Sequence, residues 1–160
     1  MALGPHAESE AEVLSEHDLK APIGQRLAVT VVTPQSSVIA GEADEVIAPG
    51  VEGEFGVLPG HVPFVSGLKA GVLTVRSRDR RSVYAVGPGY LLVAAAGKTQ
   101  ALVQQAVPAE NVDVEAARAE KAAVEEQLKQ LTGTAGEQGA LATRLAWAQA
   151  QIEAAAKAGR

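Results

Sequence analysis

At Pro108 the chain changes character, and that change limits what it can fold into. Before it, short aliphatic and β-branched runs alternate with glycine and proline. After it, the sequence turns to Ala, Glu, Gln and Lys. The first pattern specifies short strands and the second specifies helices.

The strand-like runs are residues 27–32, 38–39, 45–48, 71–76, 82–86, 90–94 and 99–103. The first stops at Pro34, the second at Gly41 and the third at Pro49 and Gly50. Residues 77–81 and 95–98 are expected to turn two hairpins. Short strands with turn signals at this spacing indicate a sandwich or a barrel over residues 26–107. Alternation breaks where Val31 meets Val32 and Leu91 meets Leu92, which implies burial on both faces or bulges. Hydrophobic residues make up 47% of the chain and aromatics only 3%, so the core must be aliphatic.

In residues 109–160, Ala117, Val124, Leu128 and Leu131 recur at helical spacing. Leu141, Leu145, Ala148 and Ile152 do the same, and a Gly-rich break at 132–139 separates the two sets. Thr134 and Glu137 have capping-box spacing for the second helix. Glu125 with Lys129, and Glu153 with Lys157, are expected i,i+4 pairs, each contributing roughly 0.2–0.5 kcal/mol. The expected unit is an antiparallel two-helix hairpin. Its stripes are thin and rich in Ala, and burial stabilises by about 0.8 kcal/mol per CH₂. Such a hairpin is marginal alone and must dock on something, which allows more than one docked state.

Residues 1–25 read as a disordered acidic extension carrying Glu8, Glu10, Glu12, Glu16 and Asp18. A transit peptide would be rich in Arg and a secretory signal would carry an apolar stretch. The 160 residues include no Cys, which excludes disulfides, thiolate nucleophiles and Cys-ligated zinc. An intracellular setting fits. A net charge of -5 argues against nucleic acid as partner. No run approaches the roughly 20 apolar residues of a membrane span.

Few residues suggest chemistry. Gly97, Lys98 and Thr99 resemble the end of a P-loop, but position 92 is Leu where that motif needs Gly, and a strand follows instead of a helix. His6, His17 and His61 share no element at metal-ligand spacing. Arg76, Arg78, Arg80 and Arg81 crowd one hairpin, as a solvated tip or a seat for an anionic partner. Residues 52–61 hold Gly53, Gly56, Pro59 and Gly60 around Phe55, Val57 and Leu58. They read as a turn with buried apolar teeth.

That block lies in a strand meander, with Leu68 to Val72 after it, a turn at Gly87, Pro88 and Gly89, and closing Ala-rich helices. This order resembles the epsilon subunit of bacterial F-type ATP synthase, called delta in mitochondria. The resemblance runs from about residue 26 to the C-terminus, and residues 48–72, with their G-E-x-G-x-x-P-G-H pattern, carry it most strongly. It implies an α+β chain: an N-terminal β-sandwich of about ten short strands followed by the hairpin. It also implies a non-catalytic central-stalk subunit without a cofactor. The implied partners are the gamma subunit, the polar loops of the c ring, and the alpha and beta subunits when the helices extend and inhibit ATP hydrolysis. Membrane association would come only through the complex, at the cytoplasmic face of the bacterial inner membrane. The alternative is a free-standing sandwich module that dimerises through its hairpin.

By the same resemblance, Glu54 matches the acidic position facing the c ring, with Gly53 and Gly56 as turn glycines. Pro59, Gly60 and His61 match a Pro-Gly-His whose His lies near the gamma contact. Some relatives bind ATP through an Ile/Leu-Asp-x-x-Arg-Ala motif. Here Glu115 replaces the Asp, Arg118 and Ala119 are kept, and Glu125 stands where another arginine is expected. Only Arg144 represents the basic pair of the second helix. Glu115, Arg118 and Arg144 are therefore the candidate nucleotide contacts of an incomplete motif. The acidic extension is not a feature of the family, and Gly87, Pro88 and Gly89 replace its usual Gly-Gly turn.

Overall fold

The computed structural model describes residues 26–159; the extension expected over residues 1–25 lies outside the described residues. Ten strands come first: β1 (Leu27–Val32), β2 (Ser37–Ala43), β3 (Glu45–Gly50), β4 (Gly53–Val57), β5 (Phe64–Leu68), β6 (Gly71–Ser77), β7 (Arg80–Val86), β8 (Gly89–Val93), β9 (Lys98–Val103) and β10 (Ala106–Pro108). Two helices follow, α1 (Val114–Gln130) and α2 (Ala135–Ala158).

The strands hydrogen-bond in the order β10-β7-β6-β3-β5-β8-β9-β1-β2, with β4 on β3. Among the described strands only β1 and β9 pair in parallel. Strand β3 turns this sheet into a two-layer sandwich by changing partner along its length. Glu45, Val46 and Ile47 face Arg76, Val75 and Thr74 of β6, whereas Gly50 faces Leu68 of β5. The Val51 N–H to the Gly67 carbonyl at 3.0 Å, and the Lys69 N–H to the Pro49 carbonyl at 3.0 Å, complete the transfer. Pro49 and Gly50, expected as breakers, therefore stand inside the strand, at its crossover.

Alternation delivers the core. Leu27, Val29 and Val31 of β1 meet Leu73 and Val75 of β6 and Leu91 and Val93 of β8 in one cluster. The Val31–Val32 doubling is a bulge, because the pairing with β2 slips between those residues. The Leu91–Leu92 doubling is not: Leu91 enters the core and Leu92 is half-buried on the outer face.

At the Arg-rich end, Asp44 ties three segments together. It joins β2 to β3, its N–H donates to the Arg76 carbonyl at 2.7 Å, and its carboxylate accepts from the Arg78 N–H and from Arg26 Nε. The Arg78 N–H, first, holds its carboxyl below the usual value; desolvation opposes it less strongly, and the hydrogen bond and charge of Arg26 add to the lowering.

Both helices are capped by side chains. Asp113 accepts from the Ala116 N–H at 3.0 Å. Thr134 and Glu137 form the expected capping box, at 3.3 Å and 3.1 Å. The expected Glu125–Lys129 and Glu153–Lys157 pairs do not close. Glu125, Lys129 and Glu153 are exposed, where pairing gains little against side-chain entropy.

Helix α2 has two apolar sides. The stripe through Leu141, Leu145, Ala148 and Ile152 was legible in the sequence. Trp147, Ala150 and Ala154 lie on roughly the opposite side, given about 3.6 residues per turn. Trp147 and Ala154 pack with Val72, Val83, Ala85 and Ala109, so α2 docks on the outer face of β6 and β7. Arg81 Nη2 donates to the Lys157 carbonyl at 2.7 Å, holding the C-terminal end of that helix.

Candidate functional site

Strand β4 carries three of the six expected contact residues, Gly53, Glu54 and Gly56, and separates two groups of them. Its hairpin with β3 closes on the Gly50–Gly53 pair, leaving Val51 and Glu52 at the tip. Gly53 has φ 134°, open to glycine alone. Glu54 follows, exposed, opposite Pro49. It lines a cleft of about 660 Å³ between the sandwich and α2, with Lys69, Val72, Glu153 and Lys157 also on its walls.

The Pro-Gly-His lies beyond the other end of β4. Gly60 has φ 86°, and the His61 N–H closes the turn on the Leu58 carbonyl at 3.1 Å. The His61 ring sits 4.8 Å from Phe64, centroid to centroid, and its Nδ1 is 2.8 Å from the Val62 carbonyl. Phe64 in turn meets Phe55 edge-on at 5.6 Å. Gly56 lies mid-strand opposite Ile47. From Glu54 to Val57 the strand alone rises about 10 Å, at roughly 3.4 Å per residue. Gly53 and Glu54 therefore lie at one end of the strand, and Pro59, Gly60 and His61 lie beyond the other.

The expectation of a turn with three buried teeth needs correction. Residues 53–57 are a strand that pairs only with β3, and a strand with one free edge tolerates the glycines. Val57 is fully buried and Phe55 half-buried, but Leu58 is 54% exposed because the chain leaves the sheet there.

A larger surface escaped the sequence reading. On the outer face of the layer formed by β5, β8, β9 and β1, apolar residues fall in register. Tyr90 faces Leu102, Leu102 faces Val32, and Gly67 beside Tyr90 lies beneath the methyls of Val51. Val51, Tyr90 and Leu102 are 59%, 60% and 38% exposed, too open for core residues. Val65, also exposed, pairs with Leu92 in the adjoining row. This row crosses a shallow cleft of about 640 Å³. An exposed apolar row of this kind is the sort of surface that a partner covers. Val32 and Leu92, the two residues that broke the alternation, were its only trace in the sequence.

The candidate nucleotide residues do not converge as free cations. Arg118 lies 3.7 Å from Glu115 on the surface of α1. Arg144 Nε and Nη2 both engage Glu120, at 2.8 Å and 2.7 Å, across the hairpin. Glu120, not singled out from the sequence, thus neutralises the arginine that a phosphate would need.

Elsewhere, Arg76 pairs with Glu45 and Arg81 is committed to α2. Gly97 has φ 75° in a turn between two strands, which is no phosphate cradle. Among the described residues no group of His, Asp and Glu is placed to hold a metal, and no helix is long and apolar enough to cross a membrane.

Residues 26–109 match the family model described as ATP synthase, Delta/Epsilon chain, beta-sandwich domain. The chain is 40% identical over 104 residues to the ATP synthase epsilon chain of Myxococcus xanthus, covering 65% of this chain and 76% of that one. It is 36% identical over 138 residues to the epsilon chain of Geotalea daltonii, covering 86% and 99%. Its fold resembles a chain of the Euglena gracilis mitochondrial ATP synthase (OSCP/F1/c-ring), with TM-score 0.71, 20% identity and coverage of 88% and 84%. It also resembles a chain of the Tetrahymena thermophila mitochondrial ATP synthase central stalk/c-ring, with TM-score 0.57, 15% identity and coverage of 87% and 100%.

Proposed function

The chain belongs to the delta/epsilon family of ATP synthase subunits, and from that premise we propose how its surfaces divide the work of a central-stalk epsilon subunit. The subunit is non-catalytic. Its task is mechanical: to hold the rotor parts together and to regulate them.

The gamma subunit seats on the apolar row of Val51, Tyr90, Leu102 and Val32. That row is the observation that carries the reading, since it lies on the layer the hairpin leaves uncovered. A stalk contact under torque needs buried apolar area, and an exposed Tyr flanked by aliphatics is the usual anchor of such an interface. His61 and its Pro-Gly turn form a rim to the gamma contact. Glu54, at the other end of β4, faces the polar loops of the c ring. The separation of the two contact points supports two different partners.

The hairpin regulates. Docked on β6 and β7 it is compact; released, it reaches along gamma toward the alpha and beta subunits and inhibits ATP hydrolysis. The alanine-lined seam supports release. ATP is not its effector, because Glu120 engages Arg144 and leaves only the surface residue Arg118, itself beside Glu115, to meet a phosphate. Adding ATP should leave the emission of Trp147 unchanged, and a saturable shift would refute this point. The subunit attaches peripherally, at the cytoplasmic face of a bacterial inner membrane, through the c ring. The dimerising alternative lacks a free seam, since α2 packs along α1 on one side and on the sandwich with the other.

The test is binding to purified gamma. Tyr90→Glu with Leu102→Glu should weaken binding by roughly 1,000-fold, two hot-spot losses of about 2 kcal/mol each. The sandwich should stay folded, because both side chains point outward. Unchanged affinity would remove this face from the account.

A further inference from the structure

We propose that the Thr74 hydroxyl is a release element beneath α2, buried without a hydrogen-bond partner while the hairpin is docked and hydrated once it leaves. The inference rests on the reading of the hairpin as detachable and adds a residue that biases it.

Thr74 is 3% exposed, and among the described residues its Oγ1 is the buried side-chain polar atom with no hydrogen-bond partner. Strand alternation sets its direction. Leu73 and Val75 enter the sandwich core, so Thr74 points outward with Val72. Its register partner is Val83. Val72 and Val83 form the cluster that receives Ala154 and Trp147 of α2. Thr74 thus lies on the face that the hairpin covers.

Thr99 provides the contrast. It is 1% exposed, equally deep, but its Oγ1 donates to the Gly97 carbonyl at 3.4 Å within its own turn. That partner stays whether or not the hairpin is docked. Thr74 has no such partner, so its hydroxyl loses water on docking and gains nothing in return. The desolvation cost falls on the docked state alone. The same face therefore carries one group that favours docking, Arg81 on the Lys157 carbonyl, and one that opposes it.

The test uses the full chain with Thr74→Val, Thr74→Ser and, as control, Thr99→Val. Hydrogen exchange of the α2 amides and acrylamide quenching of Trp147 report docking, while exchange in β8 reports the sandwich. Thr74→Val keeps the shape and removes the hydroxyl. It should slow exchange in α2 about tenfold and lower quenching, with the β8 amides still protected. Thr74→Ser should not slow it, and neither should Thr99→Val. Unchanged or faster α2 exchange in Thr74→Val would overturn the proposal, as would equal slowing in Thr99→Val. If α2 of the wild-type chain exchanges no faster than β8, the hairpin does not detach, and the underlying reading fails instead.

Discussion

The sandwich and the hairpin bury different kinds of side chain. In the sandwich Leu27, Leu73 and Leu91 are fully enclosed among valines. In the hairpin the enclosed residues are Ala117, Ala148, Ala150 and Ala154, and Val124 is the largest of them. Each leucine adds three carbons of buried surface over alanine, at about 0.8 kcal/mol per CH₂. The first region is therefore held by its interior. The second is held by caps, one interhelical ion pair, one arginine at its end and a shallow seam. The proposed function uses both: a platform that keeps its shape under load, and an appendage that would separate from it without unfolding the rest.

Substitutions of matched type should expose that difference. Leu73→Ala carries the largest expected effect, about 3–5 kcal/mol of global stability, read by urea unfolding. It should lower the stability of both regions, because the hairpin has no other platform. Val124→Ala should cost about 1–2 kcal/mol, two buried carbons, and should appear in the helical signal while the sandwich unfolds at its original midpoint. Equal losses from both substitutions, in one shared transition, would mean that the two regions are a single cooperative unit.

The smallest effect concerns pH. The Asp44 carboxyl is held below its ordinary value by the Arg78 N–H and by Arg26. A depressed folded value means that this contribution is complete above the unfolded value of 3.8 and is lost as pH falls through the folded one. Asp44→Asn should flatten the acid limb of the stability curve below about pH 4 without changing hairpin docking. A variant whose acid limb matches the wild type would remove Asp44 as its source.

The sequence disclosed what depends on neighbours in the chain. The change at Pro108, the two hairpins and the Thr134–Glu137 box are local signals, and each stands where it was expected. What it hid depends on distant pairing. Gly53, Phe55 and Val57 read as a turn because glycine content is judged locally, whereas edge position is decided by which strands lie alongside. The docking side of α2 was hard to read because Ala150 and Ala154 signal neither face and Trp147 stands there alone. Glu120 and Arg144 are 24 residues apart and meet only once the hairpin closes. The apolar row left its mark as two faults in the alternation, at Val32 and Leu92. Only the strand order turns those faults into one surface with Val51, Tyr90 and Leu102.

The most direct test is ATP hydrolysis by the assembled synthase, reconstituted with the full chain or with a chain ending at Pro108. The sandwich keeps the whole row proposed to seat gamma, so the shortened chain should assemble to the same occupancy, and hydrolysis should rise once the hairpin is gone. Equal occupancy with unchanged hydrolysis would contradict the regulatory role of the hairpin, and failure to assemble would contradict the independence of the platform.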